Sequence, residues 1–135
     1  MQILIALAAA AAAAAATSPP IDRSDSLPVR AVIDGNTIDV ARVGRVRLLG
    51  ITAPKIGRGV ETPFAREARD KLASLVLRHW VRLERDGPDL DAYARRAAYV
   101  VRDDGLFVNA ALVREGLARV SPRGALSRGA ELQRA

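Results

Sequence analysis

The sequence predicts a mainly β domain of the α+β kind: a small barrel of five strands, with one helix between the third and fourth and a short helix after the fifth. Three observations carry this. From Val29 onward, short runs alternate apolar with polar residues and are cut by Asp-Gly, Val-Gly and Gly-Pro turns, the pattern of paired strands. The stretch Thr62 to Val76 breaks that rhythm with apolar residues at three- and four-residue steps. A second helical stretch, near Asn109, follows only after two further strand-like runs. That order of elements is the one expected of an OB-type barrel.

Taken in order, the chain divides into residues 1–16, a linker over 17–27, the domain over 28–120 and a tail over 121–135. Ile3 to Ala16 is apolar and dominated by alanine, shorter than the ~20 residues a membrane-spanning helix needs, and leads into Thr17-Ser18-Pro19-Pro20. This is the form of a secretory signal peptide with an A-x-A type cleavage site near Ala16. No Lys or Arg precedes the run, so a membrane anchor or an artefactual start stays open beside it. Read as a signal, it implies a periplasmic or secreted protein with no stable membrane insertion after cleavage; a monomer is expected.

In the domain, Val29, Ala31 and Ile33 alternate as a first strand, Asp34-Gly35-Asn36 turns, Thr37 to Val40 is the second strand, and Val43-Gly44 leads into a third over Arg45 to Ile51. Thr62 and Pro63 are an N-cap and first-turn pair. The helix they open puts Phe64, Ala68, Leu72, Leu75 and Val76 on one face and Arg66, Glu67, Arg69, Asp70 and Lys71 in water. Val81 to Glu84 is the fourth strand, Asp86-Gly87-Pro88-Asp89 breaks it, and Ala97 to Arg102 is the fifth. Asn109 is expected to cap the short helix that ends at Gly116. The tail has a helix-starting composition but little length.

Composition narrows the chemistry. The chain has no cysteine, which excludes disulfides, a thiolate nucleophile and a lipoprotein anchor. His79 is the lone histidine, with no second ligand to suggest zinc. The 21 basic against 15 acidic residues give a net charge of +6, and the pI of about 10.9 favours anionic partners. An arginine-rich genome would give the same surplus, so charge alone identifies nothing.

The informative stretch is Val46-Arg47-Leu48-Leu49-Gly50-Ile51-Thr52-Ala53-Pro54-Lys55, a strand ending in a proline-stopped turn, where Gly50 permits a bulge or close approach. It combines with Asp34-Gly35-Asn36-Thr37 upstream, Asp91-Ala92-Tyr93-Ala94-Arg95 downstream and Val108-Asn109-Ala110-Ala111-Leu112-Val113-Arg114-Glu115-Gly116-Leu117-Ala118. Together these resemble the staphylococcal nuclease (thermonuclease) family, whose pattern runs D-G-D-T, R-L-x-G-x-D-x-P-E and D-x-Y-G-R in this order. The resemblance covers roughly Val29 to Val120 and implies the same five-stranded barrel. Members generally continue through a longer C-terminal helix, so by that resemblance the tail reads as truncated, and a low-melting domain is expected.

The resemblance also assigns roles. In the family, two aspartates hold calcium, a glutamate prepares the attacking water, and two arginines contact the phosphate. That division suits phosphodiester cleavage, since a hard cation polarises phosphoryl oxygens and guanidinium forks take up developing charge. Here the arginines remain as Arg47 and Arg95. Asn36 and Thr52 stand at the aspartate positions, the Ala53 carbonyl is a further calcium position, and Lys55 replaces the glutamate. Two carboxylate charges are gone and one cation is added. A unit pair at ~4 Å and an effective dielectric of ~20 interacts by about 4 kcal/mol, so calcium affinity is expected to collapse unless Asp34 or Asp39 compensates. A lysine, with its ordinary pKa of ~10.4, keeps its proton at neutral pH and offers no base.

Brought together as the resemblance implies, Arg47, Lys55 and Arg95 would make a metal-free cationic pocket for DNA, RNA or nucleotide phosphates, with Tyr93 either stacking on a base or simply packing. Two other readings stand beside it: an active calcium-dependent nuclease using substitute ligands, and a non-catalytic interaction module.

Overall fold

The computed structural model describes residues 22–54, 62–86, 96–121 and 128–135. The strands are β1 (Asp22–Arg23), β2 (Leu27–Asp34), β3 (Thr37–Val40), β4 (Gly44–Leu48), β5 (Ile51–Thr52), β6 (Trp80–Arg85), β7 (Arg96–Arg102) and β8 (Arg119–Val120). The helices are α1 (Pro63–Val76), α2 (Val108–Arg114) and α3 (Gly129–Gln133).

Five of the strands close on themselves. β2 pairs antiparallel with β3, β3 with β4, β4 parallel with β7, β7 antiparallel with β6, and β6 returns to β2. Closure leaves no long unpaired edge, and the single parallel pair is possible because α1 and β6 carry the chain across between β4 and β7. Register shifts in β2 between Val29 and Ala31 and between Val32 and Asp34 add the bends that such a small barrel requires. Alternate residues point inward, so Ile38, Val40, Val46, Leu48, Val81 and Val100 are buried and make one core with Ile51 and Tyr99. The expected OB-type barrel, with its helix between the third and fourth long strands, is the observed fold.

α1 closes one end. The Thr62 hydroxyl accepts from the Ala65 amide at 3.1 Å and Pro63 occupies the first turn, as the sequence requires. The buried stripe is Ala65, Ala68, Leu72 and Val76. Phe64, expected on that face, lies about 100° around the helix from Ala65 and is 45% exposed.

Three other local expectations are corrected. The Arg45 to Ile51 strand is two strands, because Gly50 takes a φ of 80° and swings Ile51–Thr52 away to pair with β8. Asn109 does not cap α2, whose N-cap is Phe107 without a side-chain bond. Its amide is fully buried instead, accepting from the Val100 amide at 2.9 Å and donating to the Leu49 carbonyl at 2.8 Å, so it ties β7 to the end of β4. Asp22 and Arg23, read as linker, pair with Arg85 and Glu84 at the outer side of β6.

Beyond β8, α3 docks on the barrel through Leu132, which has no exposed surface. Glu84, 4% exposed, receives Arg128 Nε and Nη2 at 2.8 and 3.0 Å and Arg23 Nε at 3.2 Å. The Glu84 carboxylate raises the Arg128 pKa, and the guanidinium lies 4.6 Å over the Phe107 ring. Two forked hydrogen bonds and a cation–π contact thus pin the start of the last helix.

Candidate functional site

The Asp34-Gly35-Asn36 turn between β2 and β3 folds back on itself: the Asn36 amide donates to Asp34 Oδ1 at 3.0 Å, an Asx-type turn. Leu48 then donates its amide to the Asn36 carbonyl at 2.8 Å, which fixes the turn against β4. Gly35 has no spare room, because a Cβ built there would lie 2.8 Å from Ala68 Cβ and 2.9 Å from Ala53 Cβ. The turn, the helix and the loop after β5 therefore meet at one point, and only glycine allows it.

Arg47 sits on β4 directly opposite Thr37. It is half-buried, with one terminal nitrogen donating to the Ile51 carbonyl at 3.3 Å, and its Nε is buried without a hydrogen-bond acceptor. The guanidinium is thus held by the same Gly50 reversal that creates β5. In the parallel ladder Arg47 is level with Ala97, and Arg96 with Val46, so β7 begins beside the last three residues of β4.

Thr52 is exposed and faces Arg119 across the β5–β8 ribbon. Residues directly opposite in a ladder have Cβ atoms ~5 Å apart on the same face. An arginine is thus the cross-strand neighbour of the residue at the family's aspartate position. Sequence reasoning passed over Arg119 because its partner strand lies far away in the chain and is only two residues long.

The structure therefore brings Asp34, Asn36, Arg47, Thr52 and Ala53 into one neighbourhood. Lys55, Tyr93 and Arg95 lie outside the described residues. Asp39, considered as a compensating ligand, stands opposite Arg45 in the β3–β4 ladder.

Of the residues gathered here, Asp34 alone brings a carboxylate to a calcium ion. Calcium takes six to eight oxygens and draws its affinity from carboxylate charge. Asn36 is neutral and 2% exposed, and its Oδ1 accepts from the Thr37 hydroxyl at 3.3 Å. Asp34 Oδ1 is committed to the turn, and the neighbouring charges on β4 and β8 are cationic.

A closed mixed barrel, capped by α1 and carrying an arginine at the end of β4 beside a tight Asx turn, is the architecture of a nuclease-like OB domain. The sequence profile of the staphylococcal nuclease homologues matches residues 45–133, and the chain belongs to that family. It is 39% identical over 103 residues to a thermonuclease of Staphylococcus intermedius, an alignment covering 72% of this chain and 60% of the relative. To a thermonuclease of Staphylococcus hyicus it is 38% identical over 94 residues, covering 65% of this chain and 54% of the relative. The chain thus spans 60% and 54% of the length of these two relatives. No helix among the described residues is long and apolar enough to cross a membrane.

Proposed function

We propose that this thermonuclease-like domain binds nucleic-acid phosphate through Arg47, Lys55 and Arg95 without calcium, and that its phosphodiester hydrolysis is lost or strongly impaired. The observation that carries the reading is the setting of Thr52. Where calcium needs a carboxylate there is a neutral hydroxyl, and across the ribbon from it stands Arg119. Asn36, at the second such position, is neutral and nearly fully buried. A base is also wanting, because a lysine ammonium holds its proton at neutral pH. Losing a positioned base costs ~10²–10⁴ in rate, before any loss of metal polarisation.

Binding fares differently from turnover. A phosphate dianion needs fixed donors and positive charge, which guanidinium groups supply in forked geometry. Arg47 is pre-oriented by its bond to the Ile51 carbonyl. β7 opens at Arg96, level with Val46, one residue after Arg95. Read with the apolar run Ile3 to Ala16 as an export signal, the domain works in the periplasm or outside the cell.

Titration with a nucleoside bisphosphate, in chelator and then in calcium, tests this. Saturable binding of equal strength in both is expected, weakened ~10–100-fold by Arg47→Ala through loss of charge-assisted hydrogen bonds. Binding that appears only with calcium would overturn it.

A further inference from the structure

A groove of about 400 Å³ opens beside the Thr52 position, lined by Thr52, Ala53, Pro54, Phe64, Leu117 and Arg119 among others. Two of its residues bear on what it could hold. Phe64 projects from the first turn of α1 with 45% of its surface exposed, although the buried stripe of that helix begins at the next residue. Arg119 has no ion-pair or hydrogen-bond partner among the described residues. An aromatic face and a free guanidinium across a groove of this size make a complement for one nucleoside unit and its phosphate. The groove also borders the Arg47 position, since its lining residue Thr52 directly follows Ile51, whose carbonyl accepts from Arg47 at 3.3 Å.

We propose that this groove is a subsite for single-stranded nucleic acid, in which the Phe64 ring stacks on an unpaired base and Arg119 neutralises the phosphate next to the one held at Arg47. The inference rests on the phosphate-binding reading above and extends it by naming the substrate class. In a duplex both faces of each base are covered by neighbouring bases, and a side chain that approaches from outside cannot stack on them. Phe64 therefore rewards only strands whose bases are splayed. Because every base has a π-face, the subsite is tolerant of sequence. The cationic balance of the chain, +6, supports the same polyanionic occupant over a neutral peptide.

The test is equilibrium binding of a fluorescent oligothymidylate of about twelve nucleotides, long enough for one barrel of this type, to the full chain in chelator at several salt concentrations. Phe64→Ala should weaken binding ~5–100-fold with the salt slope unchanged, because stacking releases no counterions. Phe64→Trp should restore it. Arg119→Ala should lower the slope by about 0.7, the value for one phosphate contact on a single strand. Trp80→Ala, at a site 51% exposed on β6 and outside the groove, should change neither. A duplex of the same length should bind without dependence on Phe64.

Phe64 is a surface residue, so an unchanged melting curve of Phe64→Ala excludes misfolding as the cause. Equal binding by Phe64→Ala and the unmodified chain, an equal loss in Trp80→Ala, or the same Phe64 dependence with duplex would each overturn the proposal. If Phe64 proves irrelevant while a nucleoside bisphosphate still competes the oligonucleotide away, the groove is refuted and the phosphate site stands. If neither ligand binds saturably, both fall.

Discussion

Replacing Leu132 and Arg128 by alanine, singly and together, measures how the last helix is held. α3 has five residues, far fewer than an isolated helix needs in water, so it is helical only while docked. Docking rests on the fully buried Leu132 and on the Arg128 fork to Glu84, reinforced by Phe107. Leu132→Ala costs ~2–5 kcal/mol if the helix stays in place around the cavity. Arg128→Ala breaks a largely buried pair, for which ~3–5 kcal/mol is typical. The Arg128 side chain keeps 23% of its surface and Arg23 still contacts Glu84, so the cost belongs at or below the lower end of that range. Either loss is limited by a common escape, in which the segment leaves the barrel and surrenders all of its contacts at once. The double variant should therefore cost less than the sum of the singles by ~0.5–3 kcal/mol. At ~4 °C per kcal/mol for a domain of this size, Leu132→Ala should lower Tm by ~8–20 °C. Urea unfolding followed by circular dichroism supplies both the energies and the m-values, and undocking should reduce m because less surface remains to expose. Costs that add within ~0.5 kcal/mol, with m unchanged, would refute the picture of α3 as one fastened unit.

Other consequences follow from single residues. Asn109→Ala strands the Val100 amide and the Leu49 carbonyl in the core; a loss of ~2–4 kcal/mol is expected in chemical denaturation, with weaker bisphosphate binding because Arg47 sits two residues before Leu49. Gly35→Ala drives a methyl into Ala53 and Ala68 and should cost ~1–3 kcal/mol while displacing the loop that carries Ala53, which the same two measurements would register. The Arg102 guanidinium, by hydrogen bonding, holds the Asp104 carboxyl down at about 2 from its ordinary 3.8. A depressed carboxyl favours the fold above its unfolded pKa and ceases to do so as pH falls through the folded value. Any Tm advantage over Asp104→Asn should thus be complete above pH 3.8 and vanish by about pH 2; an advantage that survives to lower pH would argue against this pair.

Much of the barrel was legible because two-residue alternation and turn chemistry are local. Ile38 and Val40, or Val81 and Leu83, announce their inward face to anyone counting by twos. What local patterns could not show were features made by distant partners. β5 and β8 are two residues each and exist only because Gly50 reverses the chain toward Arg119. Asn109 looks like a helix cap in sequence, but the barrel needs a buried amide between β4 and β7 more than α2 needs a cap. Phe64 was misplaced because a one-residue offset in an amphipathic helix turns a side chain by about 100°. At the site, it was the resemblance to the staphylococcal nucleases that implied a common neighbourhood for Asp34, Asn36, Arg47 and Thr52. The cation beside Thr52 required the fold.

Three departures from the family pattern, Asn36, Thr52 and Lys55, are proposed to separate binding from hydrolysis in this domain. Calcium-dependent cleavage of DNA by the unmodified chain, compared with the combined Asn36→Asp, Thr52→Asp and Lys55→Glu variant, tests it most directly. The account predicts that the variant gains at least ~10²-fold in rate when calcium is present, the lower bound for restoring a general base. An unmodified chain that already cleaves as fast as the variant, and needs calcium to do so, would contradict it.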